Sequence, residues 1–457
     1  MKRLIIYELN EVPPRLLKKY VEKKPNSGFA KILNEGIYKI TVTRDDGELH
    51  PWSTWPTVHR GIPNFEHNIR YINQDLTFAN RKYPPLWVDL ASLGIDIGIF
   101  GSLQSFPPIY GENYKFYLPD TFSPNTQAFP KEIKYFQEFN LKLAGENKAI
   151  SGKYDLKSIR MFLKLLSLKI ISPVSFSKTL NHLIKEAINS KYKTRRSLIQ
   201  PILGFDVFWK HYLKYQPSFS TFFTNHVAGM MHRYWSSTFP EDFNILDEQV
   251  DPFHSKSIFK AMDIADRQIT QIVKYCDKNQ SNLLVISSMG QKAVDRGVYL
   301  REIFLNDELK LLKILNLPFE EYKILPAMQP DIVFDCKYQS SLKKIIKLIP
   351  EIVDKEGNQL IKLRYEPVGL RVNFSLQIET KAMVNNEEIF NPITKKYNKI
   401  EDYGLKFITR DKGTAYHSKD GILLAYGKYV SNFNFQNIDL LDTCEIKPKI
   451  IEFFQKV

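Results

Sequence analysis

The sequence predicts an α/β fold, an α/β/α sandwich with a central, mostly parallel sheet. Strand and helix signals alternate along most of the 457 residues, the pattern of a sheet covered by helices on both faces. The strand signals at 4–9, 283–287 and 421–425 are short apolar runs, as buried core strands should be. Composition agrees: 43% apolar, 25% charged and 13% aromatic residues make an ordinary globular balance. That excludes a disordered, collagen-like or disulfide-scaffold chain and leaves room for one large domain with insertions.

Residues 4–9 read as the first strand, and 13–35 as a helix begun by Pro13 and Pro14. Residues 36–43 form a second strand, 86–93 a helix, 95–100 a strand and 218–224 another. A long helix at 257–276, a core strand at 283–287 and a short strand at 421–425 complete the pattern. No repeat or low-complexity tract interrupts it. The expected division is a first core part at 1–145, a basic helical insertion at 146–200 and a second core part at 201–457.

Three widely spaced cysteines, Cys276, Cys336 and Cys444, make neither a disulfide framework nor a cysteine zinc pattern and suit a reducing compartment. No apolar run approaches the roughly 18 residues of a membrane-spanning helix. The apolar opening stops at Glu8, too short for a signal-peptide core, and reads as a strand. The expectation is a cytoplasmic protein, peripheral at the inner membrane face if its basic segment binds lipid.

That segment holds much of the charge. Lys and Arg exceed Asp and Glu by 64 − 50 = +14 over the chain, and residues 151–200 carry eleven basic and two acidic side chains, or +9. Within 156–171, Ile159, Phe162, Leu163, Leu166 and Ile170 fall at helical spacing, with Lys157, Arg160, Lys164 and Lys169 between them. Such a helix reads either as a cap with a solvated basic face or as a contact for anionic lipid or a phosphate-bearing substrate. No nucleic-acid motif accompanies the charge.

Ligands of doubly wound sheets gather beyond the C-terminal ends of strands, so polar residues after strand signals are the site candidates. They lie in Glu8-Leu9-Asn10-Glu11, in the stretch from His50 through Trp52, Ser53, Thr54, Trp55, His59 and Arg60 to Gly61 and His67, in Asn225-His226 through His232-Arg233-Tyr234-Trp235, and in Ser287-Ser288-Met289-Gly290-Gln291 with His417. Ser53 or Thr54 offers a hydroxyl nucleophile, for which His59, His226 or His417 would be the base. Arg60 and Arg233 suit an anion. His59 and His67 also read as loop or capping residues, and Trp52, Trp55, Tyr234 and Trp235 as core or as stacking surfaces for sugar rings.

In order and spacing these motifs resemble the alkaline phosphatase superfamily, especially its nucleotide pyrophosphatase/phosphodiesterase branch, over about 4–145 and 200–430. The matching pieces are Leu9-Asn10, 52–57, Gly61-Ile62-Pro63 to His67-Asn68, 225–235, Ser287-Ser288-Met289-Gly290, and His417 before Gly421-Ile422-Leu423. The resemblance implies that fold and a phosphate-bearing substrate. Asn10, however, stands where the family has a metal-binding Asp, and Ser288-Met289 where it has Asp-His. Two zinc ions need several carboxylates to balance about four positive charges, so the two-metal centre is expected to be gone. His226, His232 and His417 are expected to hold one zinc at most.

The resemblance further implies an enzyme of surface-polysaccharide or lipopolysaccharide assembly, a transferase or hydrolase acting on a phosphate-bearing glycan or nucleotide-sugar. Asn10, Ser53, Thr54, His59, His226, His232 and His417 would be its catalytic residues. Glu11, Trp52, Arg60, Asn225, Arg233, Ser288 and Gln291 would bind substrate. A non-catalytic glycan-binding scaffold and a mononuclear zinc phosphodiesterase are the alternatives.

Overall fold

A computed structural model describes residues 2–145, 156–167, 170–295, 301–376, 388–409, 413–435 and 439–456. Their contacts divide the chain into two compact units, Met1–Ile69 with Ala79–Asp295 and Gly413–Val457, and Arg70–Phe78 with Arg296–Lys412.

The first unit is built on an eight-stranded sheet. Its spatial order is Leu440–Asp442, Ile37–Val42, Asp420–Gly427, Asn282–Ile286, Leu4–Leu9, Phe219–Thr224, Ile97–Phe100 and Tyr114–Leu118. All pairings are parallel except the two made by Asp420–Gly427. The expected mostly parallel sheet is therefore present.

Strand periodicity explains the layering. Successive side chains of a strand point to opposite faces, so Ile5, Tyr7 and Leu9 enter one core with Leu283 and Val285. Leu4 and Ile6 enter the other with Leu284 and Ile286. The first core is closed by side chains from helices Pro14–Lys23, Gly28–Glu35, Ile199–Tyr215, His226–Thr238 and Ser257–Asn279. The second is closed from Pro51–Arg60, Leu86–Ser92 and Ile446–Gln455. Apolar residues on both faces of each central strand thus produce the three-layer sandwich.

The single helix expected at 13–35 is two, Pro14–Lys23 and Gly28–Glu35. Pro25 lies between them, where it can neither donate a helical hydrogen bond nor fit the preceding turn, and the Ser27 side chain accepts from the Ala30 amide to start the second.

The second unit has its own four-stranded antiparallel sheet, in the order Ile361–Val368, Arg371–Leu376, Asp331–Cys336 and Tyr322–Leu325. Its core includes Leu311, Phe334, Ile345 and Phe374. Residues 70–78 belong to it because the Asn73 amide donates to the Pro326 carbonyl at 2.7 Å and the Arg371 guanidinium to the Asn73 carbonyl at 2.9 Å.

A short two-stranded antiparallel ladder in the first unit, Gly290–Ala293 against Ala415–Ser418, sets Gln291 opposite His417. A Cβ on Gly290 would lie 2.2 Å from the Asp420 carbonyl oxygen and 2.9 Å from Pro13 Cβ. Replacing Gly290 by Ala is therefore expected to cost at least about 2 kcal/mol, read as a lower urea midpoint; an unchanged midpoint would show that this close approach does not constrain the strand pair.

Candidate active site

Three central parallel strands, Asn282–Ile286, Leu4–Leu9 and Phe219–Thr224, end side by side. The turns that follow them are tied together: the Asn10 amide donates to the Thr224 carbonyl at 3.1 Å, the Ser287 hydroxyl donates to the Leu9 carbonyl, and the Val12 amide donates back to that hydroxyl at 3.2 Å. The sheet thereby holds Asn10, Glu11, Asn225 and Ser287 at one edge, where parallel sheets place their ligands.

Glu11 is the centre of this edge. It is 2% exposed and has φ of 62°, a left-handed conformation that a side-chain-bearing residue adopts only when its surroundings enforce it. Its carboxylate accepts from the Asn10 amide at 2.7 Å and from the Gln291 amide. His232 Nε2 lies 3.0 Å and His417 Nε2 3.4 Å from Glu11 Oε2.

Both rings are oriented from behind. His232 Nδ1 faces the Ala415 carbonyl oxygen at 3.0 Å, and His417 Nδ1 faces that of Leu49. A carbonyl only accepts, so each Nδ1 carries the proton, and a neutral ring then aims its Nε2 lone pair at Glu11. Two lone pairs and a carboxylate oxygen cannot converge without a proton or a cation among them. Burial favours the neutral acid, but the positive charge on His417 and His232 outweighs it and holds the Glu11 carboxyl well below its usual range. Burial likewise opposes charge on His417, and Glu11 overcomes it, raising that imidazole above its usual value.

Glu11, His232 and His417 offer ligand atoms within 4.8 Å of one another, and no second such cluster of His, Cys, Asp or Glu occurs among the described residues. Two imidazoles and one carboxylate are a donor set that suits one zinc with an open position. A second cation does not fit. Asn10 is spent as a hydrogen-bonding bridge, with Nδ2 donating to Glu11 and, at 2.6 Å, to Asn225 Oδ1, while its Oδ1 accepts from the Trp55 indole at 2.8 Å. Ser288 Oγ is paired with Thr54 Oγ1 at 2.8 Å, and Met289 is fully buried.

Several expected site residues lie elsewhere. His226 is not part of the cluster: its Nδ1 pairs with the Thr224 hydroxyl at 2.7 Å and its Nε2 with the Ala261 carbonyl at 3.0 Å. Glu11 takes its place in the three-ligand set. His59 is 4% exposed and bonds the wholly buried Glu8 carboxylate at 2.7 Å, edge-on to Trp87. Arg60, 5% exposed, donates to the Ala79 and Tyr83 carbonyls and to the Asn80 amide oxygen, so it secures the chain at 79–83 and clamps no anion.

Thr54 is fully buried, and Ser53 accepts from the Asn64 amide at 3.1 Å. Neither hydroxyl reaches solvent as an attacking group. Trp55 and Trp235 are core residues, the latter donating from its indole to Asp242 at 2.8 Å, and Tyr234 stacks on His254. Trp52 stacks on His50 at 4.4 Å, and His50 meets His417 edge-on at 5.7 Å, so this aromatic pair does border the cluster. Asn225 is exposed, and its Nδ2 has no hydrogen-bond partner among the described residues. Arg233 is partly exposed on the same helix as His232.

Sequence reasoning missed the buried assembly of Asp45, Thr57 and His67. The Thr57 hydroxyl lies 2.7 Å from Asp45 and 3.1 Å from His67 Nε2, and Asp45 also accepts from the Asn64 amide at 2.8 Å. It pins the Pro51–Arg60 helix. The Glu8–His59 pair did carry a signal, since an acid inside the otherwise apolar run Leu-Ile-Ile-Tyr-Glu-Leu needs a partner.

Burial pushes His226 down from 6.5 to about 4. The unfolded chain therefore binds a proton that the folded chain refuses. The stability this ring contributes is fully present above 6.5 and is lost as the pH falls toward 4, a change of about 3 kcal/mol. Urea melts across that window should show this slope, and His226→Gln should remove it; an identical slope in the variant would assign the acid sensitivity to other groups.

No protein-family model matches the chain, and no curated protein matches it. Among solved structures it is similar to phosphonoacetate hydrolase from Sinorhizobium meliloti 1021 in complex with phosphonoformate, at 10% identity over 99% of this chain and 96% of that one, with a TM-score of 0.43. It is also similar to murine ectonucleotide pyrophosphatase/phosphodiesterase 5 in complex with AMP, at 11% identity over 100% and 95% with a TM-score of 0.42. For the human ectonucleotide pyrophosphatase/phosphodiesterase 5 the figures are 10%, 100%, 95% and 0.39.

Proposed function

We propose that the protein is a mononuclear metal-dependent phosphoester hydrolase, acting at the edge formed by Glu11, His232 and His417. The observation that supports it is the convergence of two imidazole Nε2 atoms on one buried carboxylate, each ring held by a backbone carbonyl behind it. A zinc held there would supply Lewis-acid polarisation of a phosphoryl oxygen and an acidified water.

The chain's own residues do the rest. Asn10 and Gln291 hold the Glu11 carboxylate by their amides, so that it cannot swing away from the two rings. Asn225, one amide removed from Glu11 and exposed, presents a donor to a substrate oxygen. His232, with a third of its side chain exposed, marks the solvent side of the cluster, whereas His417 and Glu11 are enclosed. With Thr54 and Ser288 bonded to each other below the surface, water is a better attacking group here than a side-chain hydroxyl.

The substrate class is proposed from the sequence resemblance: a phosphate-bearing glycan or nucleotide-sugar of surface-polysaccharide assembly, bordered by the His50–Trp52 stack. A binding protein without turnover is the second reading, favoured by Asn10 and by the buried Thr54–Ser288 pair.

One set of variants separates them. Purified protein should hydrolyse bis(p-nitrophenyl) phosphate, and Glu11→Gln, His232→Ala and His417→Ala should each lower the rate at least 100-fold with melting temperature nearly unchanged. Product formation undiminished in Glu11→Gln would overturn the proposed site. Phosphate binding without any product in the wild type would establish the binding-protein reading instead.

A further inference from the structure

We infer that the Pro173–Ile188 helix is a docking surface for an anionic lipid bilayer. It is independent of the Glu11–His232–His417 cluster and rests on a row of exposed apolar side chains edged by lysines.

The inward face of this helix is mixed: Leu183 packs on the core and Phe176 is half-buried, beside polar residues. Ser175, Thr179 and Glu186 are buried. Thr179 donates to the Ser175 carbonyl at 2.9 Å, and Glu186 is satisfied by the Arg196 guanidinium, with the His182 ring 3.8 Å away. The outward face carries an apolar row, with the exposed Ser177 and Asn181 beside it. Leu180, Ile184 and Ile188 are 47%, 50% and 81% exposed, and Val174 is 61% exposed. The first three recur every fourth residue and so form one row. A surface helix of a globular protein ordinarily turns its large apolar side chains inward.

The flanks of the row identify what covers it. Lys178 and Lys185 lie beside it, seven residues apart and both exposed. An apolar row edged by lysines is complementary to a negatively charged headgroup layer: the lysines meet the phosphates and the aliphatic side chains enter the acyl boundary. A single contact of this kind is weak and reversible, so attachment would be peripheral. Among the described residues no helix is long and apolar enough to cross a membrane.

This surface is not the one expected from the sequence at 156–171. In Leu156–Ser167 and just beyond it, Leu165, Ile170 and Ile171 are buried, and the Lys164 ammonium sits 5.5 Å over the Tyr135 ring. Leu163, at 53%, is exposed. Lys169 and the side chains of Lys157, Ile159 and Phe162 lie outside the described residues.

The test is co-sedimentation of the full chain with vesicles of phosphatidylcholine and phosphatidylglycerol, and with phosphatidylcholine alone. Binding to the mixed vesicles is expected, with at least a tenfold loss when salt is raised from about 0.1 to about 0.5 M. The triple variant Leu180→Ser, Ile184→Ser, Ile188→Ser and the pair Lys178→Gln, Lys185→Gln should each lose at least tenfold at low salt; the pair keeps the test decisive should the triple variant not fold. No binding to the mixed vesicles, equal binding to neutral ones, or binding undiminished in the lysine pair would overturn the proposal. So would sedimentation velocity showing a dimer that the triple variant dissolves, which would give the row to a second copy of the chain.

Discussion

The site depends on one carboxylate having too many partners. Glu11 accepts from two amides and faces two imidazoles, in surroundings from which water is largely excluded. A buried anion is tolerable only if positive charge or hydrogen-bond donors compensate it. The two amides supply part of that compensation, and protonated imidazoles or a single cation must supply the remainder. The same requirement limits the charge that can be added: the single Glu11 carboxylate offsets half the charge of one divalent ion, and Asn10 beside it adds none.

The fold supplies the rigidity that this arrangement needs. Glu11 follows the central strand of the sheet, His232 lies on a helix that packs against the Ser257–Asn279 helix, and His417 is carried by a short strand paired across to Gln291. These are distant in sequence and are brought together by the parallel order of the strands. The Trp55–Asn10–Asn225 bridge then joins the helical layer behind the sheet to the solvent-facing rim, so the sandwich core and the cluster are parts of one bonded structure.

Much of this was legible in the sequence because buried strands and helix signals are local. The strand signals at 4–9, 218–224 and 283–287 placed the three strand ends, and strand ends placed Asn10 and Glu11, while His417 came from the motif resemblance. Assigning ligands was harder, because ligation depends on side-chain direction. His226 follows a core strand as a ligand would, yet the Thr224 hydroxyl and the Ala261 carbonyl, the latter 35 residues away, turn both its nitrogens inward. Arg60 is consumed by carbonyls about twenty residues on. Glu11 read as a substrate contact, and only the folded chain shows its carboxylate 3.0 and 3.4 Å from the His232 and His417 rings. The separate unit formed by 70–78 with 296–412 had no compositional marker at all.

The most direct measurement is anomalous diffraction at the zinc edge from crystals grown with zinc. One peak within coordinating distance of Glu11, His232 Nε2 and His417 Nε2 is expected, with no density for a second ion near Asn10 or Ser288. Two peaks a few ångströms apart, or one peak that leaves Glu11 unligated, would contradict the single-cation site.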